Sequence, residues 1–427
     1  MNSIERHEAR YQRRKAKREA RRRTLLNKYD NFDRVSNIAS LMKANFESRR
    51  GVLWKASVAR YNMHFFKNSV CANRKLTQSQ DMHSGFYSFN IIERGKPRSI
   101  HSLHFSERVI RRSFCTNALV LILSHNLIYD NGASIKGKGI TFAINRTATQ
   151  LHQYFRRIGS NDGYILVIDF KKYFDNILHK PLMQIVNRYI HDPQLRILSA
   201  QNIASTNSDK SLENQGKGLY IGPEDSQIYA VAYPNSIDHK IKDQWRIKEF
   251  NRYMDDSYIL CPDKKKLIQI RDALFMEYKK LGIIPNPKKT QIIKLSHGFT
   301  FLKTKFFLTD TGRVIMKPAH DSIVRQRRKL KKFNRFYQQH VMTLQQIEQS
   351  YMSWRGYILQ KDSYRSIKNM DKLFYSLFGT MPWKNTKKKR RNRELWNKNN
   401  SSRAKSLPAD HFLPTPTTSA SNLQTAV

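Results

Sequence analysis

The spacing of apolar residues changes repeatedly along the chain, and each change marks an element. Tyr164-Ile-Leu-Val-Ile168 is a continuous apolar run too short for a helix, and it predicts a strand covered on both faces. Phe250 to Leu260 places apolar runs on either side of two carboxylates. This reads as a hairpin with Tyr253 and Met254 on one side, Asp255 and Asp256 in the turn, and Ser257 to Leu260 returning. Phe86-Tyr-Ser-Phe-Asn-Ile-Ile92 alternates as a strand does, and Glu93-Arg-Gly-Lys-Pro-Arg98 is a turn with three cations leading to a second short strand. Phe299 to Phe307 alternates as one further strand.

Helical spacing recurs elsewhere. Leu53, Trp54, Val58, Tyr61 and Phe65 are expected core positions. Further helices are expected from Ser106 to about Leu127, from Thr147 to Arg157, behind Ile228, Val231, Ala232 and Ile237, and from Lys264 to Leu281. Arg325 to about Phe378 is helical and basic, with the aromatics of Ser350 to Leu359 inside. Ser205 to Gly218 is a polar loop. From Lys384 the composition shifts to Lys, Arg, Asn, Ser, Thr and Pro, which predicts disorder to Val427.

An Asp at the end of a fully apolar strand needs a reason, and Asp169 follows Ile168 directly. Taken singly, Asp169 reads equally as a cap, and Asp255-Asp256 as a solvated turn. Together, two strands delivering three carboxylates suit two divalent ions, the arrangement that activates a 3′-hydroxyl and stabilises leaving pyrophosphate in nucleotidyl transfer. Oxygen-only ligands favour Mg²⁺, with Mn²⁺ as a substitute. Tyr129 to Gly139 is a Gly-rich loop carrying Lys136 and Lys138, a cradle for nucleotide or template, and it lacks the GK[ST] ending of a Walker A loop.

Charge narrows the partner. Of 427 residues, 78 are Lys or Arg and 33 are Asp or Glu, a net charge of +45 that calls for a polyanion. Residues 1–23 alone hold ten cations against three Glu, the mark of a basic helix or of an arm that orders on nucleic acid. The 39% hydrophobic content is enough for a core of two or three subdomains. No apolar run approaches the roughly 18 to 20 residues needed to span a bilayer, and no signal peptide is visible. Cys71, Cys115 and Cys261 are widely spaced, without a CxxC pair, and are expected to be buried small hydrophobes in a reducing cytoplasm.

The blocks Asp169-Phe-Lys-Lys-Tyr-Phe-Asp-Asn176, Gly218-Leu-Tyr-Ile-Gly-Pro-Glu-Asp-Ser-Gln227 and Tyr253-Met-Asp-Asp256 resemble motifs A, B and C of reverse transcriptases, and their order and spacing agree from about Glu93 to Leu302. Gly282 to Thr290 resembles motif D, and Phe299 to Phe307 resembles motif E. The resemblance implies an α+β right-hand polymerase: a basic arm over 1–50, fingers over 51–160, an antiparallel-sheet palm over 161–315, a helical thumb over 316–383 and a basic tail over 384–427. It implies an RNA-directed DNA polymerase in which Asp169, Asp255 and Asp256, with Phe170, bind two Mg²⁺, Asp255 being the stronger ligand of the pair. Lys289 would protonate leaving pyrophosphate, with Lys288 a competitor for that part. Phe174 would collide with a 2′-hydroxyl and so select dNTPs. Arg98, Lys136, Lys138, Phe170, Gly222 and Gln227 would complete the nucleotide site.

The implied partners are an RNA template, a DNA primer or product, dNTPs and a dedicated noncoding RNA or accessory protein, with no membrane. Ile221-Gly-x-x-x-Ser-Gln227 is similar to the motif B of diversity-generating retroelement enzymes, whereas group II intron enzymes show Gln-Gly-x-x-x-Ser-Pro. A stand-alone bacterial or phage enzyme serving diversification or antiviral defence is expected, with no nuclease or maturase module. The rival from another class is a catalytically silent nucleic-acid-binding protein. It explains the charge but not three acids gathered where nucleic-acid phosphate would be repelled.

Overall fold

The computed structural model describes residues 3–93, 95–207 and 215–382. The tail from Lys384 and residues 208–214 of the polar loop lie outside them. The chain divides into two compact units, Met1–Lys317 and Pro318–Val427.

The first unit opens with α1 (Ser3–Tyr29), followed by α2 (Asp33–Ser36), α3 (Ile38–Ser48), α4 (Ala56–Met63) and α5 (Phe65–Thr77). The hairpin β1 (Phe86–Glu93) and β2 (Lys96–Leu103) precedes α6 (Phe105–Phe114), a π-helical stretch over Cys115–Leu119, α7 (Val120–Ser124) and α8 (Ile140–Ile158). Next come β3 (Tyr164–Ile168), α9 (His179–Tyr189), α10 (Pro193–Ala204), α11 (Glu224–Ala232) and α12 (Asn235–His239). The hairpin β4 (Phe250–Tyr253) and β5 (Asp256–Cys261), then α13 (Lys264–Lys280), β6 (Gln291–Lys294), β7 (Phe299–Phe301), β8 (Thr304–Leu308) and β9 (Val314–Pro318), complete it. Helices and antiparallel sheets thus make the α+β class expected from the sequence.

The central sheet has the order β4-β5-β3-β6 and is antiparallel throughout. Of its two middle strands, β3 is apolar at every position and β5 from Tyr258 onward, because both faces are covered. Successive side chains of a strand point to opposite faces. Leu166 and Ile168 of β3 join Ile259 and Cys261 of β5 in one core cluster, while Ile165 joins Tyr258 and Leu260 in a second, with Phe299, Phe301 and Phe306. The sheet is therefore held between two cores.

One charge lies in the first of these cores. Arg252 of β4 is fully buried, and it grips the equally buried Asp238 of α12 with Nε at 2.8 and 2.9 Å from the two carboxylate oxygens. Its second terminal nitrogen donates to the Tyr278 hydroxyl of α13 at 2.9 Å, and the Phe170 ring lies 5.5 Å from the guanidinium. Burial opposes the charge, and Asp238 more than offsets it, so Arg252 stays protonated.

The second unit is three helices, α14 (His320–Gln338), α15 (Leu344–Leu359) and α16 (Tyr364–Phe378). They close on Leu330, Ile347, Tyr351, Met370 and Phe374. A capping box, in which Thr343 and Gln346 bond each other's backbone amides, starts α15.

Several expected elements differ in detail. Of the expected three-cation turn, β2 already begins at Lys96, and Arg98 stands within it opposite Ile91. Phe299 to Phe307 is not one strand but a tight hairpin, turned by Leu302 and Lys303, both at positive φ. Leu53 and Trp54 are not core. α3 ends at Ser48 and α4 begins only at Ala56, so both side chains lie between helices and face solvent, whereas Val58 is buried. Cys115 and Cys261 are buried as expected, but Cys71 is exposed on α5. Among the described residues no helix is long and apolar enough to cross a membrane.

Cutting the buried ion pair on one side strands a charge, which costs about 3–5 kcal/mol, whereas exchanging both partners for apolar residues is near neutral. Arg252→Met is therefore expected to lower the denaturant midpoint strongly, and Arg252→Met/Asp238→Leu to restore most of it. Equal loss in the single and double variants would show that the pair contributes nothing beyond its volume.

Candidate active site

The register of the central sheet carries the three carboxylates to one place. Ile168 pairs with Ser257, so Asp169 emerges one step further along, beside Asp256. Tyr253 pairs with Asp256, so the β4–β5 turn consists of Met254 and Asp255, and Asp256 already belongs to the return strand. This corrects the expected turn by one residue. Met254 takes φ +57°, the positive value that a two-residue hairpin turn demands and that a non-glycine residue adopts at a cost of about 1 kcal/mol or more.

Asp169 is buried, and its ligands come from the segment between α13 and β6. Lys289 Nζ lies 2.8 and 2.9 Å from its two carboxylate oxygens, and the Asn286 side-chain amide donates to one of them at 3.0 Å. The Asn286 backbone N–H donates to the Asp169 carbonyl at 2.7 Å. Asn286 escaped the sequence reading. The signal was its place between Pro285 and Pro287, which restrict the backbone and bias the residue between them to an extended conformation.

The acids act on one another. Burial raises the Asp255 carboxyl above its usual value, with Asp169 adding to the rise, while Lys289 and Arg98 oppose it. Asp256 is pushed up to about 7 by burial and by the neighbouring Asp255 and Asp169 charges. Lys289 is raised, first by its hydrogen bond to Asp169. Among the described residues no three such side chains close on a single point as an ion's ligands do, because Asp169 is turned onto Lys289 and Asn286. The donor set nevertheless suits a hard divalent cation: three carboxylates, mutually repelling and half-buried, whose charge only a cation can offset. Asp169, Asp255 and Asp256 are the residues that can hold it.

Around them the other expected residues divide. Arg98 pairs with Glu93 at 2.9 Å, and its charge reaches Asp255. Phe174 is half-buried against the core, and its carbonyl accepts from the Leu219 N–H at 2.9 Å, tying the segment after Asp169 to the one before α11. The Phe170 ring is buried against Tyr173 and Tyr278, so only its backbone is left for the site. Lys136 is exposed. Lys138 bends back on its own loop, donating to the Tyr129 carbonyl at 2.6 Å and the Asn131 carbonyl at 3.1 Å and resting on the Tyr129 and Phe142 rings. The loop is joined to the sheet by Gly132 N–H to the Arg252 carbonyl and by Arg252 N–H to the Asp130 carbonyl, both 3.1 Å. Gln227 of α11 accepts from the Ser134 hydroxyl of that loop at 3.3 Å.

Gly222 is closely approached by the backbone of β2. A Cβ there would lie 2.2 Å from the carbonyl oxygen of His101, and its φ of +145° also favours glycine. The His101 N–H donates to the Ile221 carbonyl at 2.9 Å, and the His101 ring stacks on Tyr220 at 3.7 Å. The β1–β2 hairpin is thereby fastened to the segment before α11. The start of that helix is fixed in turn by the buried Arg111 of α6, which bonds Asp225, Glu107 and Ser205.

Gly222→Ala is expected to force β2 away, an overpacking of about 1–3 kcal/mol. Hydrogen exchange should then quicken at residues 86–103 and stay unchanged in the central sheet. Unchanged protection of the hairpin would mean that this contact does not hold it.

Residues 106–306 match the family described as reverse transcriptase (RNA-dependent DNA polymerase). No curated protein matches the chain. Among solved structures, apo telomerase from Candida tropicalis truncated from its C-terminal domain is similar at 15% identity and TM-score 0.44, over 60% of this chain and 60% of that one. Telomerase from Candida albicans in complex with a fragment of telomeric RNA is similar at 12% identity and TM-score 0.46, over 74% and 61%. The chain thus spans less than two thirds of these relatives. Asp169, Asp255, Asp256 and Lys289 all fall inside the segment that matches the reverse transcriptase family model.

Proposed function

We propose that the protein is an RNA-directed DNA polymerase that adds dNTPs to a primer by two-metal nucleotidyl transfer, with fingers over 51–160, palm over 161–315 and thumb over 316–383. The observation that carries the reading is the convergence of Asp169, Asp255 and Asp256 at the end of the central sheet, inside the matched segment. Two divalent ions held by these carboxylates, with the backbone of Phe170 beside them, would activate the primer 3′-hydroxyl and neutralise the pyrophosphate. Mg²⁺ fits the oxygen donors, with Mn²⁺ as a substitute.

The remaining steps belong to side chains. Lys289 is released from Asp169 when that carboxylate takes a cation, and is then placed to give its proton to the leaving pyrophosphate, worth roughly 10²- to 10⁴-fold. Phe174 lies beneath the sugar and rejects a 2′-hydroxyl. Arg98 and Lys136 hold the triphosphate, and Gln227 keeps the Gly-rich loop in place. Template and primer are held through phosphate, which positions without specifying sequence. α14 supports this with Arg327, Arg328, Lys331, Lys332 and Arg335, all exposed.

We further propose a stand-alone bacterial or phage enzyme working in the cytoplasm with a dedicated noncoding RNA or accessory protein. The letters of Ile221 to Gln227 favour diversification over the group II intron pattern, and antiviral defence is the comparable alternative role. Sequencing of cDNA made in cells separates these roles. Adenine-directed errors copied from one RNA region support diversification, and faithful, repetitive or untemplated products oppose it.

Replacing any one of the three carboxylates by Asn should abolish Mg²⁺-dependent dNTP incorporation on a primed RNA while leaving RNA binding nearly intact, because the charge of +45 is hardly altered. Persisting incorporation by Asp255→Asn/Asp256→Asn protein would end the mechanism. Phe174→Val should raise NTP use relative to dNTP in the same assay, and an unchanged ratio removes the steric gate. Lys289→Met should slow incorporation yet tighten Mn²⁺ binding measured by electron paramagnetic resonance, since a competing cation has gone. Weaker Mn²⁺ binding would contradict the competition.

A further inference from the structure

The sheet β7-β8-β9 has two faces of different content. Phe299, Phe301, Phe306 and Leu308 are buried in the second core cluster, with Val314 and Met316 packed against it. Side chains alternate along a strand, so Lys305, Phe307, Ile315 and Lys317 stand on the other face. The Thr309 N–H donates to the Arg313 carbonyl at 2.9 Å, and counting back from that bond sets Lys305 opposite Lys317 and Phe307 opposite Ile315.

Like charges directly opposite one another destabilise a sheet. These two are nevertheless brought together, their ammonium groups 4.8 and 5.6 Å from the centre of the Phe307 ring, and among the described residues neither is in an ion pair. The ring is fixed in place. Gly298 has φ +71°, and a Cβ there would lie 2.6 Å from a carbon of the ring and 2.6 Å from the Phe306 carbonyl oxygen, so only glycine lets the backbone pass against it.

Beside the ring lies an open cavity of about 380 Å³. Phe307 and Ile315 give it apolar walls, Lys317 a cation, and Asn161, Ser296 and Asp310 its other polar groups. The Asn161 amide donates to the Leu308 carbonyl at 3.1 Å, which holds the side chain and leaves its oxygen to accept. The place is remote from the three carboxylates. Asn161 precedes β3 and Asp169 follows it, with about 17 Å of strand between Tyr164 and Asp169.

The chemistry narrows the occupant. Two unpaired ammonium groups call for a phosphate, the Phe307 and Ile315 walls for a flat apolar surface, and the Asn161 oxygen and Asp310 carboxylate for a donor such as a base amine. A nucleotide combines all three. The volume is at the low end for a small-molecule site, which suits one such unit and excludes a duplex. An acidic peptide supplies the anion but sets its carboxylates against Asp310.

We propose that this cavity, outside the polymerase site, holds one unpaired nucleotide of a bound RNA strand, its phosphate on Lys305 and Lys317 and its base against Phe307 and Ile315. The assignment to RNA rests on the RNA-copying reading above. The nucleotide site does not depend on it.

The test uses the full chain without Mg²⁺ or dNTP, so a failure of polymerase activity leaves it untouched. Single-stranded RNA carrying 5-iodouridine is crosslinked by ultraviolet light, and the joined peptide is identified by mass spectrometry. The peptide containing Phe307 is expected from the single strand and not from the same RNA annealed to its complement. Binding of the single strand is followed in parallel by fluorescence anisotropy across a salt series. Lys305→Gln/Lys317→Gln is expected to lower the slope of log K against log salt by about 1, at ~0.7 per single-strand phosphate, and Lys264→Gln/Lys265→Gln on α13 by clearly less. Phe307→Ala should weaken binding about tenfold and Phe307→Tyr restore it. Both lysines are exposed, so their variant reads the site even where Phe307→Ala fails to fold. Crosslinking only elsewhere, equal crosslinking from the duplex, or equal slopes for the two lysine variants would overturn the site. An equal yield from DNA carrying 5-iododeoxyuridine would overturn the assignment to RNA, and tight binding of AMP alone that the Lys305→Gln/Lys317→Gln protein loses would replace the strand by a free nucleotide.

Discussion

The buried contact between Arg252 and Asp238 is the constraint on which the site depends. Arg252 stands one residue before Tyr253 and two before the strained Met254, so fixing its guanidinium fixes the strand that delivers Asp255 and Asp256. The same side chain reaches α12 through Asp238, α13 through Tyr278 and the segment after β3 through the Phe170 ring, while its backbone holds the Gly-rich loop. One residue therefore ties both carboxylate-bearing segments to their supports. A buried pair of this kind is a poor source of net stability, since desolvation cancels most of the attraction. Its contribution is geometric: an apolar residue could fill the space but could not fix the directions of four elements at once.

That rigidity has something to oppose. Three carboxylates on adjacent strand ends repel, and the strain is visible in Asp256, which burial and its two neighbours push up to about 7. The fold answers with Lys289 on Asp169, and it recruits Lys289 from the loop that also supplies Asn286. A lysine is suited to this place because it is a single, flexible point charge that can leave when a better cation arrives, whereas the rigid fork of an arginine would hold on through two bonds. The site is thus kept assembled without being closed to metal.

The sequence was legible where one residue type has one use. A strand apolar at every position can only be buried on both faces, and Tyr164 to Ile168 is. A carboxylate following it, and a second pair between apolar runs, pointed to the strand ends where the three acids stand side by side, with the turn misplaced by one residue. The rest depended on partners distant in the chain. Nothing near Lys138 reveals that its ammonium turns back onto Tyr129 and Asn131, and nothing near Gly222 reveals the His101 carbonyl against it. The hairpin at Leu302-Lys303 read as one strand because its turn contains neither Gly nor Asn. Positive φ is there imposed by Phe299, Phe301 and Phe306 packing in the core rather than by local preference. Trp54 misled for the opposite reason: its spacing was right, but the helix that carries Val58 begins only at Ala56.

Glycine 222 joins these observations into a statement about motion. Because the His101 backbone fills the space a side chain would take, and because the His101 ring is stacked on Tyr220, the β1–β2 hairpin and the segment before α11 share one surface. Arg111 fixes the start of α11 through Asp225, and Phe174 fixes the segment from its other side through Leu219. A displacement of Arg98 at one end of this chain of contacts must therefore strain Phe174 at the other. The two segments that flank the acids are thus parts of a single packed body rather than independent loops.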